Sequence, residues 1–233
     1  MDETGLIVDR EKAYWEVRDH FKWLTDESIR KVISLSLETG GGGDILELCS
    51  GSGAFTKHMP REFRSYTCLD ISQTLLQTVK RSLPEVTVVQ GDAQNPAFKE
   101  ESFYLVVMFA GLHHMPDVKA TLRNAFRILR SGGAFVCFEP NDDCWYRRFM
   151  LPLKSLLGIY TEDERFLKVG FIQAALQEAG FATSETKFLM PEYAPDHLKS
   201  ALNKILVRFM ALASSLGTGP FWQPWFIMSG RKL

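Results

Sequence analysis

Cysteine is scarce in this chain and never paired. Cys49, Cys68, Cys137 and Cys144 stand singly, with no CxxC and no histidine at ligand spacing. That excludes a disulfide framework and a zinc site and predicts reduced thiols in a cytoplasmic protein. Cys49, Cys68 and Cys137 sit inside apolar runs, where a free Cys acts as a small hydrophobe. A leader is also missing: MDETGLIV is acidic and has no basic stretch followed by an apolar one, so no signal peptide is expected. No uninterrupted run of about 18 apolar residues occurs, so no membrane span is expected either. Basic excess is absent as well. Lys and Arg number 27 against 28 Asp and Glu, a net charge of −1, which lacks the footprint of a dedicated nucleic-acid binder. There is no internal repeat, and the one low-complexity tract is Gly40 to Gly43.

What is present is the material of one large α/β domain: 233 residues, 45% hydrophobic and 24% charged, enough to bury a core without a staple. The glycine run separates a helical segment (1–39) from the remainder (40–233). Before it, Tyr14, Val17, Phe21 and Leu24, then Ile29, Val32, Ile33 and Leu37, recur at helical spacing and predict helix over 10–37. After it, β-type and helical runs alternate. Strands are expected at 45–49, 65–69, 86–89, 103–109 and 134–138. Ser72 and Asp117 sit where helix N-caps belong, and Ser131-Gly132-Gly133 reads as the stop of the second helix. Such alternation predicts a parallel sheet wound on both faces, with ligands bound beyond the carboxyl ends of the strands where their order reverses.

The residues at those ends carry the chemistry. The first strand runs into Glu47-Leu48-Cys49-Ser50-Gly51-Ser52-Gly53, a turn whose glycines let backbone approach a ligand closely. Asp70 ends the second strand, placed to accept hydrogen bonds from a ribose diol. The third strand leads to Gly91-Asp92-Ala93, where an acid can accept from an exocyclic amine beside a small residue. Each loop alone is a weak signal; three in register describe an adenosine site.

Over roughly residues 44 to 190, and again at the C-terminus, the chain resembles the class I S-adenosylmethionine-dependent methyltransferases. Their strand ending in an acid and x-G-x-G-x-G is matched by ILELCSGSG through Glu47, Gly51 and Gly53, with Cys49 in place of the first glycine. MFAGLHHMPD and AFRILRSGGAFVCFEPN extend the likeness to the small-molecule branch of quinone, sterol and natural-product enzymes. The resemblance implies a doubly wound, mostly parallel seven-stranded sheet with an antiparallel last strand, helices on both faces and a small helical cap. It implies S-adenosylmethionine as cofactor, its amino-acid end on the Glu47–Gly53 turn, its ribose on Asp70, and its adenine by Asp92 and Ala93. Ile71, Phe109 and Tyr14, the last on a helix that closes over the cofactor, complete the expected site. His113, His114 and Glu139 are the expected catalytic residues wherever the accepting atom must lose a proton. No metal is expected, since the two histidines lack a third ligand at zinc-like spacing. An Asn/Asp-Pro-Pro-Tyr motif is missing after the fourth strand, which argues against methylation of amide or base nitrogen.

Substrate choice is expected in the N-terminal helix and in cap insertions near 142–166 and 196–216, whose aromatic and aliphatic residues suit an apolar small-molecule acceptor. Arg147, Arg148 and Lys154 beside leucines allow peripheral membrane contact, a reading ranked below an internal lid. Two alternatives stand beside the enzyme: a non-catalytic methyltransferase-fold scaffold or regulatory subunit, and an NAD(P)-dependent oxidoreductase, which would need a third glycine that the Gly51 to Thr56 turn lacks.

Overall fold

The computed structural model describes residues 24–38, 43–148, 167–182, 185–193 and 201–233. Tyr14, Trp15 and Phe21, most of the 142–166 insertion and the start of the 196–216 insertion lie outside them. Twelve elements organise the described chain: α1 (Asp26–Leu37), β1 (Asp44–Leu48), β2 (Ser65–Asp70), α2 (Gln73–Ser82), β3 (Thr87–Gln90), β4 (Phe103–Phe109), α3 (Val118–Ile128), β5 (Leu129–Pro140), α4 (Val169–Ala179), β6 (Thr186–Leu189), α5 (Ala201–Ser214) and β7 (Trp225–Arg231). The strands form one sheet in the order β3-β2-β1-β4-β5-β7-β6. β1 pairs in parallel with β2 and β4, as do β2 with β3 and β4 with β5, whereas β7 runs antiparallel to both β5 and β6. This is the expected α/β class, and the strand order reverses between β1 and β4.

Alternating side chains send each strand's residues to two cores. Leu46, Leu48, Val106, Met108 and Phe135 pack one face against Leu122 and Ala125 of α3 and Ile172 and Leu176 of α4. Ile45, Leu105, Val107, Val136 and Phe138 pack the other against Ile29 and Val32 of α1 and Leu76 and Val79 of α2. Strands buried on both faces must be apolar throughout; in β4 only Tyr104 is less than fully buried. The helix starts follow their caps. Ser72 accepts from the Leu75 amide at 3.3 Å and Asp117 from the Ala120 amide at 2.9 Å.

Three expectations are corrected. Helix does not run through residue 24: Thr25 has extended backbone and accepts from the Ser28 amide at 3.2 Å, starting α1 afresh, while Leu24 forms a β-bridge with Tyr193. Ser131-Gly132-Gly133 does not stop α3, which ends at Ile128. These residues lie inside β5, where the register to β4 shifts between the pairs Phe103–Leu129 and Leu105–Ala134. Gly132, at φ +80°, supplies the left-handed turn of this bulge. Finally, α4 fills a stretch that had been assigned no element, and it ends on Gly180 in the left-handed conformation. No helix among the described residues is long and apolar enough to cross a membrane.

Candidate active site at the strand exits

The reversal between β1 and β4 opens a crevice at the strands' carboxyl ends, and the two loops that flank it touch. A Cβ built on Gly111, after β4, would lie 2.8 Å from the Cβ of Cys49, after β1. Only glycine permits that approach. Cys49 itself has φ +56°, and Gly51 and Gly53 follow at +52° and +82°. The turn thus keeps the left-handed geometry of a glycine-rich loop although its first glycine is replaced, at the strain cost of a side chain at positive φ.

Asp70 knits three strand exits together. Its Oδ2 accepts from the Gly51 amide at 2.8 Å and its Oδ1 from the Ser72 amide at 2.9 Å. Its carbonyl accepts from the Gly91 amide at 3.0 Å, in the loop after β3. Burial pushes the carboxyl above the usual Asp range, and the backbone amides of Ser72 and Gly51 oppose that shift. The Ile71 amide acts on it in the same direction, and a carboxylate with about four lone-pair sites can still accept from a ligand. Asp92 is half-buried and accepts from the Gln94 amide at 2.8 Å, beside buried Ala93. Gln94 in turn accepts from the Asp117 amide at 2.9 Å, tying this loop to α3. Half-buried Ile71 lies between Asp70 and Ser72, its carbonyl accepting from the Gln90 side chain at 3.0 Å.

Glu139 is the counterpart of Asp70 across the crevice. It is fully buried at the end of β5, and its Oε1 accepts from the amides of Gly111 and Leu112 at 3.0 and 2.7 Å. Its Oε2 lies 2.7 Å from Nδ1 of His113. Burial pushes the Glu139 carboxyl up to about 8, against the pull of the Leu112 amide and the His114 charge. His113 is buried and His114 half-buried, with ring centroids 4.1 Å apart. The structure therefore brings His113, His114 and Glu139 together at the exits of β4 and β5.

Glu47 and Phe109 are placed deeper. Glu47 lies in the core between β1 and the 3-10 turn Thr56–His58, where Thr56 and Tyr66 hydroxyls donate to its Oε2 at 2.7 and 2.6 Å. Burial raises its carboxyl to about 7. Phe109 stacks on Phe55 with centroids 4.3 Å apart and is 1% exposed. Both support the crevice from beneath rather than line it. Sequence reasoning missed Thr56, Tyr66 and Gln94 as partners of the acids, and it missed that Asp70 and Glu139 clamp neighbouring loops. Tyr66, Gly51 and Gly111 carry no local signal, being 19 or more residues from their acids; Thr56 lies nine away, and only Gln94 and Ser72 are neighbours, at two.

The fit to S-adenosylmethionine follows from this geometry. The turn 49–53 offers backbone that Gly51 and Gly53 leave open to close approach, Asp70 stands where a diol can donate to it, and Asp92 with Ala93 leaves an acid beside a small side chain. Comparison with known proteins agrees. Residues 46–137 match the model of a methyltransferase domain. A demethylmenaquinone methyltransferase of Listeria monocytogenes serotype 4a (strain HCC23) is 25% identical over 78% of this chain and 85% of its own length. One from Staphylococcus epidermidis (strain ATCC 12228 / FDA PCI 1200) is 32% identical over 58% of this chain and 62% of its own. Among solved structures, geranyl diphosphate C-methyltransferase from Streptomyces coelicolor A3(2), in complex with Mg2+, geranyl diphosphate and S-adenosyl-L-homocysteine, superposes with a TM-score of 0.70 at 12% identity. That match covers 97% of this chain and 98% of the other. A possible histamine N-methyltransferase from Thermotoga maritima gives 0.68 at 17% identity, over 98% and 99%. The scaffold and nicotinamide alternatives are thereby set aside: the chain is an S-adenosylmethionine-dependent methyltransferase that resembles the class I quinone and natural-product enzymes.

Proposed function

We propose that the acceptor is an apolar, aromatic small molecule whose accepting position must lose a proton, such as a reduced quinone or a phenol. The observation that carries this reading is the His113–Glu139 pair, 2.7 Å apart at the exits of β4 and β5. A methyltransferase working on a ready nucleophile needs no base; one working on a hydroxyl or an acidic ring carbon does. The demethylmenaquinone methyltransferases among the relatives are named for a substrate of this chemistry.

When bound, S-adenosylmethionine supplies an electrophilic methyl group on a sulfonium. The rest is alignment and proton handling by this chain. The 49–53 backbone would hold the cofactor's amino-acid end, Asp70 its ribose, and Ile71, Asp92 and Ala93 its adenine. With Nδ1 turned to Glu139, His113 offers its other ring nitrogen, Nε2, to the acceptor's proton. Charge on the His113 imidazolium would in turn favour the ionised form of Glu139, which the Gly111 and Leu112 amides hold in place. Held there, the cofactor would present its methyl group in line with the acceptor, and His113 would pass the accepted proton on to water. The segment after β5 and α5 form the described part of the cap: Cys144 and Tyr146 share a small core with Met210 and Ala213, and Tyr146 and Ser214 hydroxyls meet at 2.7 Å.

The test is methyl transfer from labelled S-adenosylmethionine to a short-chain naphthoquinol and to simple phenols. His113→Ala should reduce kcat by about 10²–10⁴-fold, with cofactor affinity little changed. Full kcat in His113→Ala with an acceptor that must be deprotonated would overturn the assignment.

A further inference from the structure

On the outer side of α5 large apolar side chains stand exposed beside Phe209, whose ring meets those of Trp145 and Tyr146. Ile205, Leu212 and Leu216 are 62%, 66% and 65% exposed, and Phe209 is 43% exposed. Their spacing of four, three and four puts them on one stripe of the helix and its C-terminal turn. The stripe continues onto the loop before β7. Trp145 lies 6.1 Å from Phe209 and 6.3 Å from Phe221 between ring centroids, and Phe221 is 54% exposed. A soluble surface seldom leaves so many large apolar side chains together without a use for them.

Charge decides what covers the stripe. Lys204 and Arg208 are exposed, four residues apart, along one edge of it, and no Asp or Glu occurs from Ala201 to the C-terminus. The chain as a whole carries a net charge of −1, so α5, with cations and no acid, is locally positive within a near-neutral chain. Two copies meeting through this stripe would bring these cations together with no carboxylate on α5 or the following loop to answer them. An anionic lipid surface answers them directly: the apolar stripe sinks among the acyl chains, aromatic rings lie at the headgroup level, and Lys and Arg reach the phosphates. A 14-residue helix is about 21 Å long, too short to span a bilayer but long enough to lie on one.

We infer that α5 and the loop bearing Phe221 dock this protein on an anionic lipid bilayer. The patch is coupled to the catalytic end of the sheet. Asn141, which follows β5, donates from its side-chain nitrogen to the carbonyls of Pro220 and Gln223, both at 2.7 Å. Glu139 stands two residues before it. Docking there would bring to the membrane the loop that Asn141 ties to the exit of β5, and an apolar acceptor would be dissolved in that membrane.

The experiment is flotation of the full chain with vesicles of phosphatidylcholine alone and of phosphatidylcholine with phosphatidylglycerol. Sedimentation velocity without lipid runs in parallel. Wild-type protein should float with the anionic vesicles only. Lys204→Glu/Arg208→Glu and Ile205→Ser/Leu212→Ser should each weaken that partition about tenfold or more, while melting temperature and S-adenosylmethionine affinity stay at wild-type values. Absence of flotation, flotation that neither variant weakens, or a concentration-dependent dimer that Ile205→Ser/Leu212→Ser abolishes would overturn the inference. None of these outcomes bears on the His113 assignment, which is read in solution.

Discussion

Removing the Asp70 carboxylate would leave the amides of Gly51 and Ser72, both inside a packed turn, without acceptors. Asp70→Ala should therefore destabilise the protein by about 1–3 kcal/mol even without ligand, the range for orphaned buried groups. It should weaken cofactor binding as well, because the turn that cradles the ligand loosens. Asp70→Asn keeps one oxygen for one of the two amides and should fall between. Chemical denaturation alongside calorimetric titration separates the two effects. If Asp70→Ala melts like wild type and loses only affinity, the carboxylate serves the ligand alone. Glu139 has the same double character across the crevice. Glu139→Gln retains an acceptor for the Gly111 and Leu112 amides, yet cannot stand as a counter-charge to an imidazolium at His113. It should lower kcat far more than it raises KM and leave the melting temperature nearly unchanged; a pure KM effect would make Glu139 a loop clamp and nothing more.

In the proposed cap, the described residues after β5 and on α5 share a small core, Tyr146 meets Ser214, and the Trp145 ring lies edge-on to Phe209. Among the described residues this core is small and separate from those of the sheet, so the cap should open without the domain unfolding. Amides of 145–148 and 201–214 should exchange faster than those of β1, β4 and β5, and slow when cofactor product and acceptor bind together. Exchange as slow as in the central strands would remove the cap from substrate admission. How much of this was legible follows from where the signals lie. β4 shows itself because a strand covered on both faces has no room for polar residues, and α2 and α3 start where Ser72 and Asp117 cap them. The bulge in β5 was misread because Ser-Gly-Gly signals a break without saying whether helix or strand is broken. The site was legible as positions: Gly51, Gly53, Asp70, Asp92, His113 and Glu139 do stand at strand exits. Their partners were not. That Thr56 and Tyr66 hold Glu47, or that Gly111 must yield space to Cys49, depends on pairings between distant strands that no local pattern encodes.

At the scale of the whole molecule, the buried acids set how stability depends on pH. Glu47 has no cation beside it; its partners are the hydroxyls of Thr56 and Tyr66, and burial raises its carboxyl from the ordinary 4.5 to about 7. The folded state then holds this proton more tightly than the unfolded chain. Glu47's contribution to stability is complete below about pH 4.5 and is lost as pH rises toward 7, with a slope of up to about 1.4 kcal/mol per pH unit. Glu139, raised to about 8, acts in the same direction over a wider window, moderated by His113 at its side. Urea midpoints should therefore fall between pH 5 and 8 more steeply than the surface carboxylates of a near-neutral chain would produce. Glu47→Gln isolates the cause, since an amide still accepts from both hydroxyls and never ionises. The variant's profile should run flatter than wild type from pH 5 to 7 and parallel to it above pH 8, where Glu47 is ionised in both folded and unfolded states. Identical slopes for the two proteins below pH 7 would mean that Glu47 is already a carboxylate in the fold, held by Thr56 and Tyr66 strongly enough to outweigh its burial.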